Sequence, residues 1–136
     1  MGTPPLSIFQ VSGRAMSAQL LRMNTTASNL ANAGTVASSP EAAYRTIKPV
    51  FRTALDEATG LSTVDVEQIV TAGSEPTKRY DPGNPLADKD GNVLESAVDE
   101  TRELVDMLES SRTYQNNVEV MQTAKQLIVD TLKLGR

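Results

Sequence analysis

The stretch from Val98 to Leu134 constrains the fold most, because it runs for thirty-seven residues without a proline or a glycine. Most of its residues favour helix. Alternating steps of three and four residues bring mainly apolar side chains to one helix face, and Val105, Leu108, Ala124 and Leu127 widen that stripe. The stripe consists of Leu104, Met107, Ser111, Tyr114, Val118, Met121, Lys125, Ile128 and Leu132, and it is interrupted by Ser111 and Lys125. The pattern predicts one long helix.

We expect Ser96 to cap this helix and Gly135 to end it. The helix would be about 55 Å long at about 1.5 Å per residue, whereas a small domain is about 30 Å across. Burial of a large apolar side chain contributes about 1.5–3 kcal/mol, and ordering one backbone residue costs about 1–2 kcal/mol. Burial of this stripe alone therefore cannot offset the free-energy cost of ordering the whole helix. Two interpretations remain open: a coiled-coil arm on a monomer or dimer, or a subunit of an assembly that buries the remaining faces.

A second amphipathic helix is predicted near the N-terminus, from Ser7 as its N-cap to a stop between Asn32 and Gly34. Its apolar face is formed by Phe9, Gly13, Met16, Leu20, Met23, Ala27 and Leu30. The two helices have compatible periods, and the simplest arrangement pairs them as an antiparallel coiled coil.

Alternating residues between the helices predict strands over 44–52 and 64–70, with shorter strands near 78–80 and 92–94. Pro49 restricts the first of these strands to a sheet edge or a bulge. In the second strand, Val64, Val66 and Ile69 are expected to point inward. The small polar residues over 35–41 are expected to form a loop.

The predicted fold class is therefore mainly α with a small β insert. We expect three parts: an N-terminal helix over 1–34, a β-containing insert and loop over 35–95, and a long C-terminal helix over 96–136.

The composition excludes several kinds of protein. Aromatic residues make up 4% of the chain, so a large globular core is not expected. The net charge of −4 argues against a nucleic-acid binder. Neither cysteine nor histidine occurs, which removes disulfides and the usual zinc sites. No apolar run approaches the length of about 20 residues that spans a bilayer. The first ten residues do not resemble a cleaved signal peptide, so any export is expected to use a route without cleavage.

No arrangement of residues predicts catalysis. Asp99, Glu103 and Asp106 recur at helical spacing, as a pair of catalytic carboxylates could, but acidic residues at a helix start usually form a solvated face. Glycine follows Asp88 too early for a calcium loop of the EF-hand type, and Asp90-Gly91 instead indicates a hairpin turn. We therefore expect neither an enzyme nor a cofactor.

The stretch Thr25 to Asn32 has poor helix propensity, because small and amide residues dominate it. It is consistent either with a frayed helix end capped by asparagines or with a surface packed closely against neighbours, where amides bridge subunits. Its core, Ala27-Ser28-Asn29-Leu30-Ala31-Asn32, resembles the N-terminal signature of the bacterial flagellar rod, hook and hook-associated family. This resemblance favours the assembly interpretation.

Two further motifs extend the resemblance. The loop Tyr80-Asp81-Pro82-Gly83-Asn84-Pro85-Leu86-Ala87 is similar to the one typical of the proximal-rod members of this family. Arg112-Thr113-Tyr114-Gln115-Asn116-Asn117 resembles the C-terminal signature of the family, in which alanine usually stands at the position of Asn116. Ala97 also departs from the family, where asparagine commonly precedes the Val-Asp pair. The segment 35–73 carries little of the resemblance.

The resemblance implies a structural subunit of the proximal rod of the flagellar basal body, a tubular drive shaft in the periplasm that transmits torque to the distal rod and hook. The implied partners are copies of this chain, other proximal and distal rod proteins, a rod-base adaptor and the flagellar type III export apparatus. The predicted assembly interface comprises Phe9, Met16, Leu20, Met23, Ala27, Ser28, Asn29, Leu30, Ala31, Asn32, Tyr80, Pro82, Gly83, Asn84, Pro85, Leu104, Met107, Arg112, Tyr114, Gln115, Asn117, Val118, Met121, Ile128 and Leu132. The alternatives are a distal-rod paralogue and a cytosolic coiled-coil adaptor or export chaperone.

Overall fold

The computed structural model describes residues 5–135. Its elements, in chain order, are helix α1 (Pro5–Ala31), strands β1 (Val36–Ala37), β2 (Ile47–Asp56), β3 (Leu61–Thr71), β4 (Thr77–Tyr80) and β5 (Asn92–Glu95), and helix α2 (Glu100–Leu134). Two helices thus flank a β-containing middle, which confirms the predicted order of elements. Residues 1–4 of the predicted N-terminal part and residue 136 of the predicted C-terminal part lie outside the described residues.

Helix α1 begins at Pro5, where the fixed φ of proline suits the first turn of a helix. Ser7 therefore lies inside the helix, and the prediction that it is the N-cap is wrong. At the other end, the backbone N–H of Asn32 donates to the carbonyl of Ser28 at 3.1 Å. Gly34 then adopts a φ of 75°. The predicted stop between Asn32 and Gly34 is confirmed.

Helix α2 is capped by Asp99, whose carboxylate accepts a hydrogen bond from the N–H of Arg102 at 3.1 Å. Ser96 was predicted in this role, but its buried hydroxyl has no hydrogen-bond partner among the described residues. Asp99 is favoured because a carboxylate both accepts from the free N–H groups and interacts well with the positive end of the helix dipole. The helix ends at Gly135, as predicted, with its N–H bonded to the carbonyl of Thr131.

Strands β2 and β3 form a two-stranded antiparallel ribbon, and β1, β5 and β4 form a second, three-stranded sheet in that order. The register of the ribbon shifts between Val50 and Phe51, directly after Pro49. This confirms that the proline lies beside a bulge. The two short predicted strands are β4 and β5. Strand β1 lies in the segment that was predicted to be a loop, since two residues are too few to show an alternating pattern.

The prediction that Val64, Val66 and Ile69 point inward is wrong. These side chains are 38%, 39% and 50% exposed, respectively. The buried side chain of this strand is Thr63, whose hydroxyl accepts a hydrogen bond from Arg14 of α1 at 3.1 Å. Arg14 of α1 thus bonds to the Thr63 side of the ribbon, while Val64 and Val66 border an open cavity beside α1 and stay more than a third exposed.

The core contains few large side chains. The buried hydrophobic residues among those described are Ala18, Ala37, Ala43, Val93 and Ala124. Helix α1 contacts both α2 and the ribbon. The end of α1 meets the start of α2, where Asn29 bonds to Glu103, while Ile8 at the other end borders a groove with residues 116–127. Small residues at the contacts bring the helices close but bury little apolar surface.

Candidate assembly interface

The side of α2 that faces the rest of the chain is lined by small and polar residues. Glu103, Ser110 and Ala124 are buried, at 3%, 0% and 8% exposure, and half-buried Asn117 lies between the last two at the same spacing. These four residues recur at steps of seven, so they follow one line along the helix. We call them the inner line. Apolar periodicity did not identify this line, because only one of its members is hydrophobic.

The predicted apolar stripe of α2 lies partly outside the intramolecular contact. Leu104 and Leu132 are 53% and 67% exposed. The remaining apolar members are half-buried, namely Met107, Tyr114, Val118, Met121 and Ile128. Three residues that widen the stripe, Val105, Leu108 and Leu127, are more than half exposed. The inner line therefore runs one residue before the predicted apolar stripe. Ser110 and Ala124 of the inner line directly precede Ser111 and Lys125 of the stripe.

The predicted interface residues of α1 divide in the same way. Leu20 is 43% exposed, and Ala27 and Ala31 are exposed. Six others are half-buried, namely Phe9, Met16, Met23, Ser28 and Leu30 in the helix and Asn32 directly after it. The buried residues of this helix are Ser12, Ala18, Thr25, Thr26 and Asn29. Most of them have small or hydroxyl side chains. Several aliphatic residues on both helices are thus only partly covered within the single chain.

Asn29 joins three parts of the same chain, and its side chain is 1% exposed. Its amide nitrogen donates to the carbonyl of Ile47 and to Glu103 Oε2, both at 2.9 Å. Its amide oxygen accepts from the N–H of Ile47 at 3.0 Å and from the Tyr44 hydroxyl at 2.8 Å. All four hydrogen-bonding sites of the amide are therefore used within the chain. Ser28 contributes to the same cluster, with its hydroxyl 3.2 Å from that of Tyr44.

A group of ion pairs lies one turn of α2 beyond Glu103, the partner of this amide. Asp106 of α2 lies 3.4 Å from the guanidinium of Arg22 on α1 and 3.6 Å from the ammonium of Lys48 on β2. Arg22 also lies 3.5 Å from Glu109. The same three elements that Asn29 connects are therefore connected a second time by charges. We call Asn29, Glu103, Arg22, Lys48 and Asp106 the polar junction.

The three acidic residues considered as possible catalytic groups all have structural partners. Asp99 caps α2, Glu103 accepts from Asn29, and Asp106 pairs with Arg22 and Lys48. Within residues 5–135, no cluster of His, Cys, Asp and Glu has the make-up of a metal site. Neither helix in the same range is long and apolar enough to cross a lipid bilayer.

The Pro-Gly loop joins β4 to β5 and is held by its own hydrogen bonds. The N–H of Asn84 donates to the carbonyl of Asp81 at 3.1 Å, which closes a turn around Pro82-Gly83. The carboxylate of Asp88 accepts from two further N–H groups of the loop at 2.9 Å. Tyr80, at the start of the loop, is 73% exposed. The predicted residues Pro82, Gly83, Asn84 and Pro85 therefore lie together in a hydrogen-bonded turn.

The C-terminal signature lies in the middle of α2. Arg112 and Gln115 are exposed, whereas Tyr114 is half-buried. The side-chain amide of Asn117 donates to the carbonyl of Thr113 at 3.0 Å. Only part of this motif thus contributes to the fold of the single chain.

Comparison with known proteins agrees with these motifs. Residues 9–36 match the family model described as flagella basal body rod protein, and residues 89–134 match that described as flagellar basal body rod FlgEFG protein C-terminal. The flagellar basal-body rod protein FlgC of Yersinia enterocolitica is 42% identical over 131 residues, covering 96% of this chain and 98% of the relative. The chain belongs to the FlgC family of flagellar basal-body rod proteins.

Other members of the FlgC family align over the same length. The protein of Salmonella typhimurium is 41% identical, across 96% of this chain and 98% of its own. That of Agrobacterium fabrum is 32% identical, across 96% of this chain and 95% of its own. Similarity therefore extends through the middle segment 35–73, which the signature motifs did not cover.

Proposed function

We propose that this chain is a structural subunit of the proximal rod of the flagellar basal body. Copies would pack through α1 and α2 into the wall of a tubular drive shaft that carries torque to the distal rod and hook. In this assembly the two helices act as an antiparallel coiled coil. The three-part division at residues 34 and 95 separates the wall-forming helices from a β insert that contacts neighbouring subunits from the outer side.

The observation that carries this proposal is the surface that a single chain leaves uncovered. The accessible surface is 9,194 Å², whereas a compact monomer of 14.6 kDa is expected to expose about 6,900 Å². Aliphatic side chains of α2 contribute to this surface, because Leu104, Leu108 and Leu127 are each more than half exposed. Contiguous apolar surface of this kind marks contacts with other proteins.

The predicted interface supports a mechanical mechanism. Heterologous contacts that repeat with a screw offset generate an open helical wall rather than a closed dimer. Side-chain packing at such contacts resists shear, because protein interiors are close-packed and have low compressibility. Within each subunit, the polar junction fixes α1, α2 and the ribbon relative to one another, so a load on one element reaches the other two.

We further propose that the chain acts without a cofactor and is not an enzyme. It would reach the periplasmic part of the basal body through the flagellar type III export apparatus, without cleavage of a signal peptide. Its partners would be copies of itself, the neighbouring proximal and distal rod proteins and a rod-base adaptor. The rod protein names of its relatives support this placement over that of a cytosolic adaptor or export chaperone, and they favour FlgC over a distal-rod paralogue.

The proposal is tested by supplying the chain to a strain that lacks its own proximal-rod subunit of this family. Intact basal bodies isolated from these cells should contain the chain, and motility should return. A variant with Leu104→Asp and Leu108→Asp should be synthesised but absent from basal bodies, since charge would then enter a buried contact. Recovery of the wild-type chain only as a soluble cytosolic dimer would contradict the proposal.

A further inference from the structure

Helix α2 contributes to two exposed apolar patches, which lie at different positions along its axis. The first patch consists of Leu104, Val105 and Leu108, which are 53%, 57% and 70% exposed. The second patch consists of Val120 and Leu127, which are 48% and 62% exposed, together with Ile8 of α1 at 40%. The second patch borders an open groove of about 480 Å³. Both patches lie on surfaces that the single chain leaves open.

The two leucines of the first patch and the α2 residues of the second patch lie on opposite sides of the inner line. Successive residues of a helix are separated by about 100° around its axis, so Leu104 and Leu108 fall on one flank of the line, while Val120 and Leu127 fall on the other. The centres of the patches are seventeen to eighteen residues apart. At about 1.5 Å per residue, this separation is about 26 Å along the axis.

We propose that the first patch of one copy packs against the second patch of a parallel neighbouring copy, which is displaced by about 26 Å along the helix axis. This inference rests on the proposed function, because it names the partner of the exposed helix surface. It predicts a contact of the head-to-tail kind, since each copy presents two different patches. A two-fold contact would instead set one patch against its own equivalent.

The charges along α2 agree with this displacement. A shift of seventeen residues places Arg102 of one copy beside Glu119 of the next, and a shift of eighteen places Arg112 beside Asp130. In the same register, Glu109 lies beside Gln126 or Leu127, and no two like charges of the described helix become neighbours. Exposed ion pairs contribute little to affinity, but they set register and exclude wrong alignments.

The surface that a single chain leaves uncovered is also large enough for contacts with two neighbours. The excess over a compact monomer is about 2,300 Å², and a standard interface buries about 800 Å² on each partner. Each copy can therefore cover its first patch with one neighbour and its second patch with another. A single dimer contact would leave one of the two patches exposed.

Cross-linking tests the contact directly, because the chain has no cysteine of its own. Copies with Leu108→Cys and copies with Leu127→Cys are produced together, and isolated basal bodies are treated with a short bismaleimide. We expect dimers that contain one copy of each variant. The two positions are about 28 Å apart in one helix, so the reagent cannot join them within a chain. The matched control is Gln126→Cys, which is exposed at the same height but points away from the second patch, and its yield should be several-fold lower.

Charge reversal tests the register. Arg112→Glu should lower the cross-linking yield by up to about fivefold, and addition of Asp130→Arg to the same chain should restore it. Residues 112 and 130 are about 27 Å apart in one helix, so a rescue can arise only between copies.

The outcomes separate this inference from the proposed function. Dimers from Leu108→Cys alone, equal yield with Gln126→Cys, or basal bodies that contain the chain but give no mixed dimer would each overturn the contact and leave the rod function standing. Absence of the wild-type chain from basal bodies would overturn the rod function, and with it the contact.

Discussion

Asn29 illustrates how a single amide can organise this chain. Because Asn29 is buried and uses all four hydrogen-bonding sites, removal of the Glu103 carboxylate or the Tyr44 hydroxyl leaves one of these sites without its partner. The sequence predicted a special role for this residue as an amide between subunits. Its observed bonds with Tyr44, Ile47 and Glu103 lie within the chain, and no local pattern relates residues so distant in sequence.

Asn29→Ala is expected to destabilise the chain by about 1–3 kcal/mol, since the buried Glu103 carboxylate loses its amide donor. Urea denaturation followed by circular dichroism measures this loss. Asn24→Ala, at an exposed position of the same helix, is the control and should change stability by less than about 0.5 kcal/mol. Equal effects of the two substitutions would contradict the role of the polar junction.

Asn29→Asp should be more damaging at neutral pH than Asn29→Ala, because it places a second carboxylate beside Glu103. Two carboxylates in contact raise the pKa of one of them in the folded state. The folded form of this variant should therefore regain stability as the pH falls through that raised pKa. Denaturation midpoints at pH 7 and pH 4.5, compared with those of Asn29→Ala, measure the effect. A difference in denaturation midpoint between the two variants that is the same at both pH values would argue against contact between residues 29 and 103.

Gly91 shows a second constraint at the residue scale. Its φ is 79°, and a β-carbon there would lie 3.0 Å from the ring of Tyr80 and 3.1 Å from Pro82. Gly91→Ala should therefore cost about 1–2 kcal/mol for the left-handed backbone and more for the crowding. Gly60→Ala, at a φ of 69° with no atom within 4 Å, is the matched control and should show only the backbone cost. Urea denaturation measures the loss of stability in both variants. Equal losses would show that the loop shifts to accommodate the added methyl group without further cost.

At the scale of the element, α2 has its small and polar side inside and much of its aliphatic side outside. The sequence correctly predicted the helix, its length and its C-terminal stop. It misjudged which face is buried within one chain, because apolar periodicity assumes that the most hydrophobic face meets the nearest partner. Here the nearest partner, α1, presents small and hydroxyl side chains, and so the inner line of α2 is small as well.

This arrangement predicts opposite effects for two substitutions on the same helix. Ser110→Leu should destabilise the single chain by about 1–3 kcal/mol, because a larger side chain at a fully buried position forces the helices apart. Leu127→Ser should leave the stability of the single chain within about 0.5 kcal/mol, but it should reduce incorporation into basal bodies. Denaturation and quantitative immunoblots of basal bodies measure the two effects. A large stability loss from Leu127→Ser would show that this leucine belongs to the intramolecular core.

At the scale of the whole molecule, the helices extend beyond what one chain can stabilise. The polar junction holds the end of α1 and the start of α2 against the ribbon, whereas Leu127, Leu132 and Leu134 at the far end are 62%, 67% and 87% exposed. The composition predicted this shortage of core, since few aromatic residues are available. We propose that the far ends of the helices become ordered when neighbouring copies cover them, because ordering and burial then occur together.

The most direct test of this account is the helicity of the purified chain as a function of concentration, measured by circular dichroism with sedimentation on the same samples. We expect a dilute monomer that is only partly helical, with the helices formed around the polar junction but not at their far ends, and a rise in helicity that accompanies the formation of large polymers. High helicity that is independent of concentration, in a discrete dimer that does not polymerise, would contradict it.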